Sequence, residues 1–201
     1  YNAAGVQYLS IPQNICIASL FIGIAAVIDF LDGFVARLMH ASSEMGKQLD
    51  SLADVVSFGV APAMIVFEFL RMSFAQQESG LSTSFLFFIP AFIIPCAGAF
   101  RLARFNLDTS SHTGFRGLPI PAAGLFIASF PLIFWYNSNG TWVIQMLTNY
   151  WFWYAVIIFI SGLMVSTLPM LSLKIKMASF KTLLPLIIIV LTGIAAALFF
   201  G

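Results

Sequence analysis

The stretch from Ile28 to Gly59, IDFLDGFVARLMHASSEMGKQLDSLADVVSFG, decides the fold because it combines apolar residues with an unusual density of carboxylates. The chain has eight acidic residues. Five of them lie within this stretch: Asp29, Asp32, Glu44, Asp50 and Asp54. An ionised carboxylate at the edge of hydrocarbon is unfavourable, and like charges nearby add to the penalty. We therefore expect a bound cation or a polar cavity to offset the charge.

The composition identifies an integral membrane protein. Of the 201 residues 60% are hydrophobic and 8% are charged, whereas a soluble domain has about 25% charged residues. The net charge of +1 and the scattered basic residues argue against a nucleic-acid partner.

Six apolar segments are each close to the roughly 20 residues that a helix needs to cross the hydrocarbon core. They lie at about 11–36, 50–70, 84–105, 118–137, 150–168 and 183–200. No linker or internal repeat separates them. The pattern predicts an all-α integral membrane protein, a polytopic bundle of about six transmembrane helices that forms a single domain over residues 1–201.

Basic residues predict the orientation of the bundle. The first, third and fifth connections carry Arg37 and Lys47, then Arg101, Arg104 and Arg116, then Lys174, Lys176 and Lys181. The second connection has only Arg71, balanced by acids, and the fourth has no charge. The positive-inside rule therefore places the three basic connections, and a polar cavity beside them, at the cytoplasmic face. An aromatic belt at the outer interface is predicted from Trp135, Trp142, Trp151 and Trp153.

Helical periodicity gathers the aspartates. If the first helix continues to Leu38, Asp29 and Asp32 share an arc of about 100° with Gly33 and Ala36. On the next helix Gly46, Asp50 and Asp54 follow at intervals of four residues. Two neighbouring helices can thus present four carboxylates to one another, with small residues between them that leave room for a ligand.

Four adjacent carboxylates disfavour one another's ionisation unless a cation is bound. Oxygen ligands without His or Cys favour a hard dication, with Mg²⁺ or Mn²⁺ preferred and Ca²⁺ also suitable. Such an ion in an apolar protein usually serves a phosphate, which favours phosphoryl chemistry on a lipid diphosphate. The alternatives are interfacial solvation and the ion pathway of a cation-coupled transporter, although such pathways place ionisable groups near the membrane midplane.

The complete pattern is Asp29-x2-Asp32-Gly33-x2-Ala36-Arg37-x8-Gly46-x3-Asp50-x3-Asp54. It resembles the signature of the CDP-alcohol phosphotransferases, membrane enzymes of lipid synthesis. The segments SFGVAPA (57–63), RLARFN (101–106) and FRGLPIPAAG (115–124) are similar to the phosphatidylserine synthase branch. The resemblance extends over about residues 10–125.

The resemblance implies roles for individual residues. Metal binding is implied for Asp29, Asp32, Asp50 and Asp54, and Asp54 is also implied as the general base. Residues implied at the nucleotide site are Gly33, Ala36, Arg37 and Gly46. Arg101 and Arg104, three residues apart on one helix face, are expected with Asn106 to bind the serine carboxylate or the lipid phosphate, because a guanidinium fork suits both anions.

The implied reaction converts CDP-diacylglycerol and L-serine to phosphatidylserine and CMP. Glycerol 3-phosphate and inositol are alternative acceptors within the family. The resemblance also implies contact with membrane lipid, a homodimer, and a location in the bacterial inner membrane with the site facing the cytoplasm. Relatives usually carry one more helix before the acidic motif, so the chain either lacks that helix as a fragment or functions without it.

The orientation predicts accessibility of the connections. In intact cells a membrane-impermeant thiol reagent should modify a cysteine introduced as Ser138→Cys, because the fourth connection is predicted outside. The same reagent should spare Ser111→Cys in the third connection. The reverse labelling pattern would overturn the orientation.

Overall fold

The computed structural model describes residues 13–39, 43–77, 83–107, 115–136 and 141–170. Its α-helices are α1 Gln13–Leu38, α2 Glu44–Asp54, α3 Ala61–Ala75, α4 Ile93–Leu107, α5 Ile120–Tyr136, α6 Thr141–Leu147 and α7 Tyr150–Val165. A π-helix spans Val55–Val60, and 3₁₀ segments span Phe85–Phe87 and Ile89–Phe92. Two short strands are β1 Phe115–Arg116 and β2 Pro169–Met170. The all-α prediction is confirmed.

Within the described residues, three helical stretches are long and apolar enough to cross a membrane: Asn14–Ala36, Glu44–Ala75 and Phe85–Leu107. Two shorter apolar helices are Ile120–Tyr136 and Tyr150–Val165. These five correspond to the first five predicted segments, and the polytopic membrane architecture is confirmed. The sixth predicted segment, 183–200, lies outside the described residues.

The chain divides into two compact units, Tyr1–Pro169 and Met170–Gly201. All the described helices lie in the first unit. The second contains one described residue, Met170, at the end of β2. The interpretation of residues 1–201 as a single domain stays a prediction.

The second membrane segment is one continuous helical stretch in which α2 passes through the π-helix into α3. Within it the N–H of Ala61 donates to the carbonyl of Val56, five residues back. The wider turn is held by close neighbours. A Cβ added to Gly124 of α5 would lie 2.9 Å from Cα, Cβ and the carbonyl oxygen of Phe58, and one added to Gly59 would lie 3.2 Å from Cα of Pro95. Small residues thus let α4 and α5 pack directly on the π-helix backbone.

Trp153, in the first turn of α7, is packed between neighbouring helices. Its ring is fully buried, stacks on Phe69 with centroids 4.5 Å apart, and its Nε1 donates to the Leu147 carbonyl at 2.8 Å. Trp153 thus packs inside the protein, because α3 and α6 supply both an apolar environment and a hydrogen-bond acceptor. The aromatic belt at the outer interface stays a prediction. Exposed indoles remain at the other three positions, Trp135, Trp142 and Trp151.

A short turn fixes the C-terminal end of α7. Gly117 has φ of 73°, and a Cβ there would lie 2.5 Å from the Met164 carbonyl oxygen. The N–H groups of Gly117 and Leu118 donate to the carbonyls of Leu168 and Leu163 at 3.1 and 3.0 Å. Glycine is needed at this position because of both its positive φ and the close approach of α7.

Gly124→Ala tests the packing of α5 on the π-helix. The added methyl must displace main-chain atoms of Phe58, so we expect a loss of about 1–3 kcal/mol of unfolding free energy. The matched control is Gly23→Ala in α1, where an added Cβ meets no atom within 4 Å. That control should be neutral or stabilising by up to about 1 kcal/mol, because alanine favours helix. Thermal unfolding in detergent micelles measures both, and equal destabilisation would contradict the packing.

Candidate functional site

Three of the predicted aspartates converge between the second half of α1 and the second half of α2. Asp29, Asp32 and Asp50 each offer a carboxylate oxygen, and these oxygens lie within 4.8 Å of one another. Asp29 is half-buried, while the other two are exposed. The helical periodicity thus brings together side chains from two helices.

The three carboxylates fit a hard divalent cation. Oxygens bound to the same Mg²⁺ or Ca²⁺ ion lie at most about 4–5 Å apart, because each is about 2.0–2.6 Å from the ion. The cluster has only oxygen ligands and no His or Cys, the donor set that these ions prefer. Removing charge repulsion among the three carboxylates gives an additional reason for a cation to bind there.

Asp54 lies beside this cluster without being one of its three members. It is half-buried, and its electrostatic neighbours are Asp29, Asp50 and Asp32, with Arg101 as the nearby positive charge. It is the last residue of α2, directly before the π-helix. A π turn changes the direction in which the side chains of the following helix point. Such turns often occur at functional sites. Asp54 therefore stands where the helix geometry changes.

Arg101 approaches the site from α4. Its side chain is only 8% exposed, and its buried Nε has no hydrogen-bond partner within the described part of the chain. Its charge interacts with Asp54 and with Arg104. A buried donor left unpaired costs about 1–3 kcal/mol, which a bound anion would recover. Arg101 is therefore the strongest anion-binding candidate of the three residues predicted on α4.

The other two residues predicted on α4 have protein partners. Arg104 donates from two guanidinium nitrogens to the carbonyls of Val165 and Ser166, at 3.2 and 3.4 Å. Asn106 donates from Nδ2 to Oγ of Ser51 at 3.2 Å. Neither contact was predicted, because each joins residues that are more than 50 positions apart.

The predicted nucleotide-site residues belong to the second half of α1 and the first turn of α2. Gly33 and Ala36 are half-buried on α1, and a Cβ at Gly33 would meet no atom within 4 Å, so there is open space beside it. Gly46 donates its N–H to Oγ of Ser43, the N-cap of α2, at 3.0 Å. The side chain of Arg37 lies outside the described part of the structure. Nucleotide binding by these four residues stays a prediction.

Sequence reasoning missed Ser43. This residue caps α2 and so fixes where the helix that carries Asp50 and Asp54 begins. The signal was present, since a serine directly before an acidic first turn is a typical helix start.

Comparison with known proteins assigns the family. The sequence profile of the CDP-alcohol phosphatidyltransferase family matches residues 4–161, and the chain belongs to this family. No solved structure matches the chain.

Several relatives are named as enzymes that form a serine phospholipid. A CDP-diacylglycerol–serine O-phosphatidyltransferase of Bacillus subtilis is 38% identical over 62% of this chain and 64% of its own length. The yeast Saccharomyces cerevisiae protein of the same name is 46% identical over 55% of this chain and 39% of its own. An archaetidylserine synthase of Methanothermobacter thermautotrophicus is 35% identical over 65% and 52%. The chain thus spans about two-fifths to two-thirds of the length of these relatives.

The carboxylate cluster predicts a measurable cation affinity. Asp50→Asn should weaken Mn²⁺ binding, because it removes a charged ligand oxygen. Loss of a residue that only supports a ligand costs about 10–100-fold in metal affinity, and we expect a larger loss here. Electron paramagnetic resonance of free Mn²⁺ in detergent-solubilised protein measures this. Glu68→Gln is the control, since Glu68 pairs with Arg71 on the surface of α3. Unchanged Mn²⁺ affinity in Asp50→Asn would refute the site.

Proposed function

We propose that this protein transfers the phosphatidyl group of CDP-diacylglycerol to L-serine, giving phosphatidylserine and CMP. The observation that carries the proposal is the convergence of three carboxylates beside Asp54 and Arg101 in a chain of this family. The relatives named above support serine as the acceptor and a diacylglycerol or archaeal analogue as the lipid. Family membership favours this activity over a cation-coupled transporter.

The carboxylates of Asp29, Asp32 and Asp50 would hold a divalent cation, with Mg²⁺ or Mn²⁺ as the preferred ions. When bound, the ion neutralises the diphosphate and makes the phosphorus more electrophilic. Asp54 is proposed to complete the ligand set as well as to act as the base. Gly33, Ala36, Arg37 and Gly46 are proposed to line the CDP portion of the site.

Asp54 is proposed as the general base, a role supported by the family resemblance and by its place beside the three carboxylates. It would accept the proton of the serine hydroxyl while that oxygen attacks the phosphorus that carries diacylglycerol. The bond from this phosphorus to the CMP oxygen breaks, and CMP leaves with the electron pair. A positioned base is useful because an alcohol is a poor nucleophile at neutral pH.

Arg101 is proposed to bind the negatively charged carboxylate of the acceptor. Its guanidinium suits the serine carboxylate, and binding there would satisfy the unpaired Nε. Glycerol 3-phosphate also presents an anion, whereas inositol does not. The names of the relatives favour serine.

A lipid donor is supported by an apolar groove of about 480 Å³ between α1 and α5. On α1 the groove is lined by Leu20, Ile24 and Ile28, which are four residues apart and so lie on one helix face. Asp32, four residues after Ile28, continues this face. The groove therefore leads along one helix face to the carboxylates. An acyl chain in the groove would place its phosphate at the cluster.

The protein is an integral membrane protein. We further propose that it resides in a bacterial inner membrane with the site facing the cytoplasm, where CMP release and serine supply would occur. Assembly as a homodimer remains a prediction from the family resemblance.

Activity measurements test the acceptor and the base. Purified protein should release CMP faster with L-serine than with glycerol 3-phosphate or inositol, and excess EDTA should abolish release. Asp54→Asn should still bind CDP-diacylglycerol but lose about 10²–10⁴-fold in kcat, since the proton acceptor is gone. Glu44→Gln removes a charge from the same helix and is expected to retain activity. Faster release with another acceptor, or full turnover of Asp54→Asn, would reject the corresponding assignment.

A further inference from the structure

Three polar residues of α4 point to different parts of the bundle. At about 100° per residue, Arg104 and Asn106 lie about 160° apart around the helix axis, and Arg101 is about 60° from Arg104. Arg104 therefore faces one neighbour and Asn106 a nearly opposite one. Their hydrogen bonds agree with this separation.

Arg104 contacts the C-terminal end of α7. Its two donors reach the carbonyls of Val165 and Ser166, which belong to the last turn and have no following helical N–H. A cation at this end also interacts favourably with the helix dipole. The same end of α7 is held by the turn at Gly117, so Arg104 binds a fixed structure.

Asn106 contacts the helix that carries the catalytic carboxylates. Its partner Ser51 lies directly after Asp50 and three residues before Asp54. This hydrogen bond from the Asn106 side-chain amide therefore links α4 to α2 at the level of the aspartates. Because α4 is held on two sides, the approach of Arg101 to Asp54 is fixed.

We propose that Arg101 alone of these three residues contacts the substrate anion, while Arg104 and Asn106 are positioning residues that hold α4 against α7 and α2. This inference rests on the proposed function, and it differs from the expectation that all three residues bind serine or lipid phosphate. Of the three, Arg101 alone is buried and has a donor without a partner among the described residues.

Matched glutamine variants distinguish the two arginines. Glutamine keeps an amide donor for a carbonyl but lacks the charge that an anion needs. Arg101→Gln should raise the KM for serine by about 10–100-fold, because this is the loss of affinity expected when one hydrogen bond to a charged group is removed. Arg104→Gln should leave this KM within about threefold and lower kcat only moderately, and Arg104→Lys should behave similarly. An equal rise in KM for both glutamine variants would overturn the proposal.

The bond between Asn106 and Ser51 is tested from both ends. Asn106→Ala and Ser51→Ala should lower kcat by the same factor with an unchanged KM for serine. The double variant should be no worse than either single variant, because both remove one interaction. Additive effects, or a KM effect confined to Asn106→Ala, would contradict a positioning role.

Thermal unfolding in detergent gives a readout independent of turnover. Without substrate, Arg101→Gln should be as stable as wild type or more so, since it removes a buried Nε donor that has no partner among the described residues. Arg104→Ala and Asn106→Ala should be less stable. CDP-diacylglycerol and serine together should stabilise Arg104→Gln as they do wild type, and Arg101→Gln less. The opposite ranking would overturn the division of roles.

Wild-type kinetics separate failure of this inference from failure of the proposed function. If CMP is released only with glycerol 3-phosphate, serine is rejected, and the glutamine variants are compared with that anion instead. If wild type releases no CMP with any acceptor, the proposed activity fails, and the unfolding ranking alone decides the roles of Arg101 and Arg104.

Discussion

Mutual repulsion of carboxylates at the edge of an apolar bundle is the constraint on which the site depends. Asp29, Asp32 and Asp50 present oxygens within 4.8 Å of one another, an arrangement that is unfavourable without a cation. The cluster forms because the second halves of α1 and α2 bring these residues together. A divalent ion and a diphosphate would neutralise each other there, so the binding of cation and substrate would be coupled.

The α2 helix, which contributes Asp50 and Asp54, is fixed by contacts at its start and directly after its last residue. Ser43 caps its start, and the π-helix after Asp54 is enclosed by Pro95 and Gly124. Asp54 thus belongs to a segment whose backbone cannot shift without displacing two neighbouring helices. Such rigidity would suit the proposed role of Asp54 as a base that accepts a proton at hydrogen-bond distance.

The two arginines of α4 differ in their hydrogen-bond partners, and this difference suits the proposed reaction. Arg104 neutralises the end of α7, whereas Arg101 keeps an unpaired donor near Asp54. One guanidinium is therefore committed to the protein and the other is available. A buried cation that lacks a full set of partners is unfavourable for stability, which is the usual sign of a group kept for a ligand.

The sequence alone determined the membrane class, the first five helical segments and the convergence of Asp29, Asp32 and Asp50, because hydropathy and helical periodicity are local properties. It also indicated the family, since eight motif positions lie within 26 residues. The tertiary structure decided what depends on distant partners: the burial of Trp153, the π-helix packed against Gly124, and the contacts of Arg104 and Asn106. These contacts join residues from separate helices, and no periodicity within one helix specifies which carbonyl or hydroxyl a side chain from another will reach.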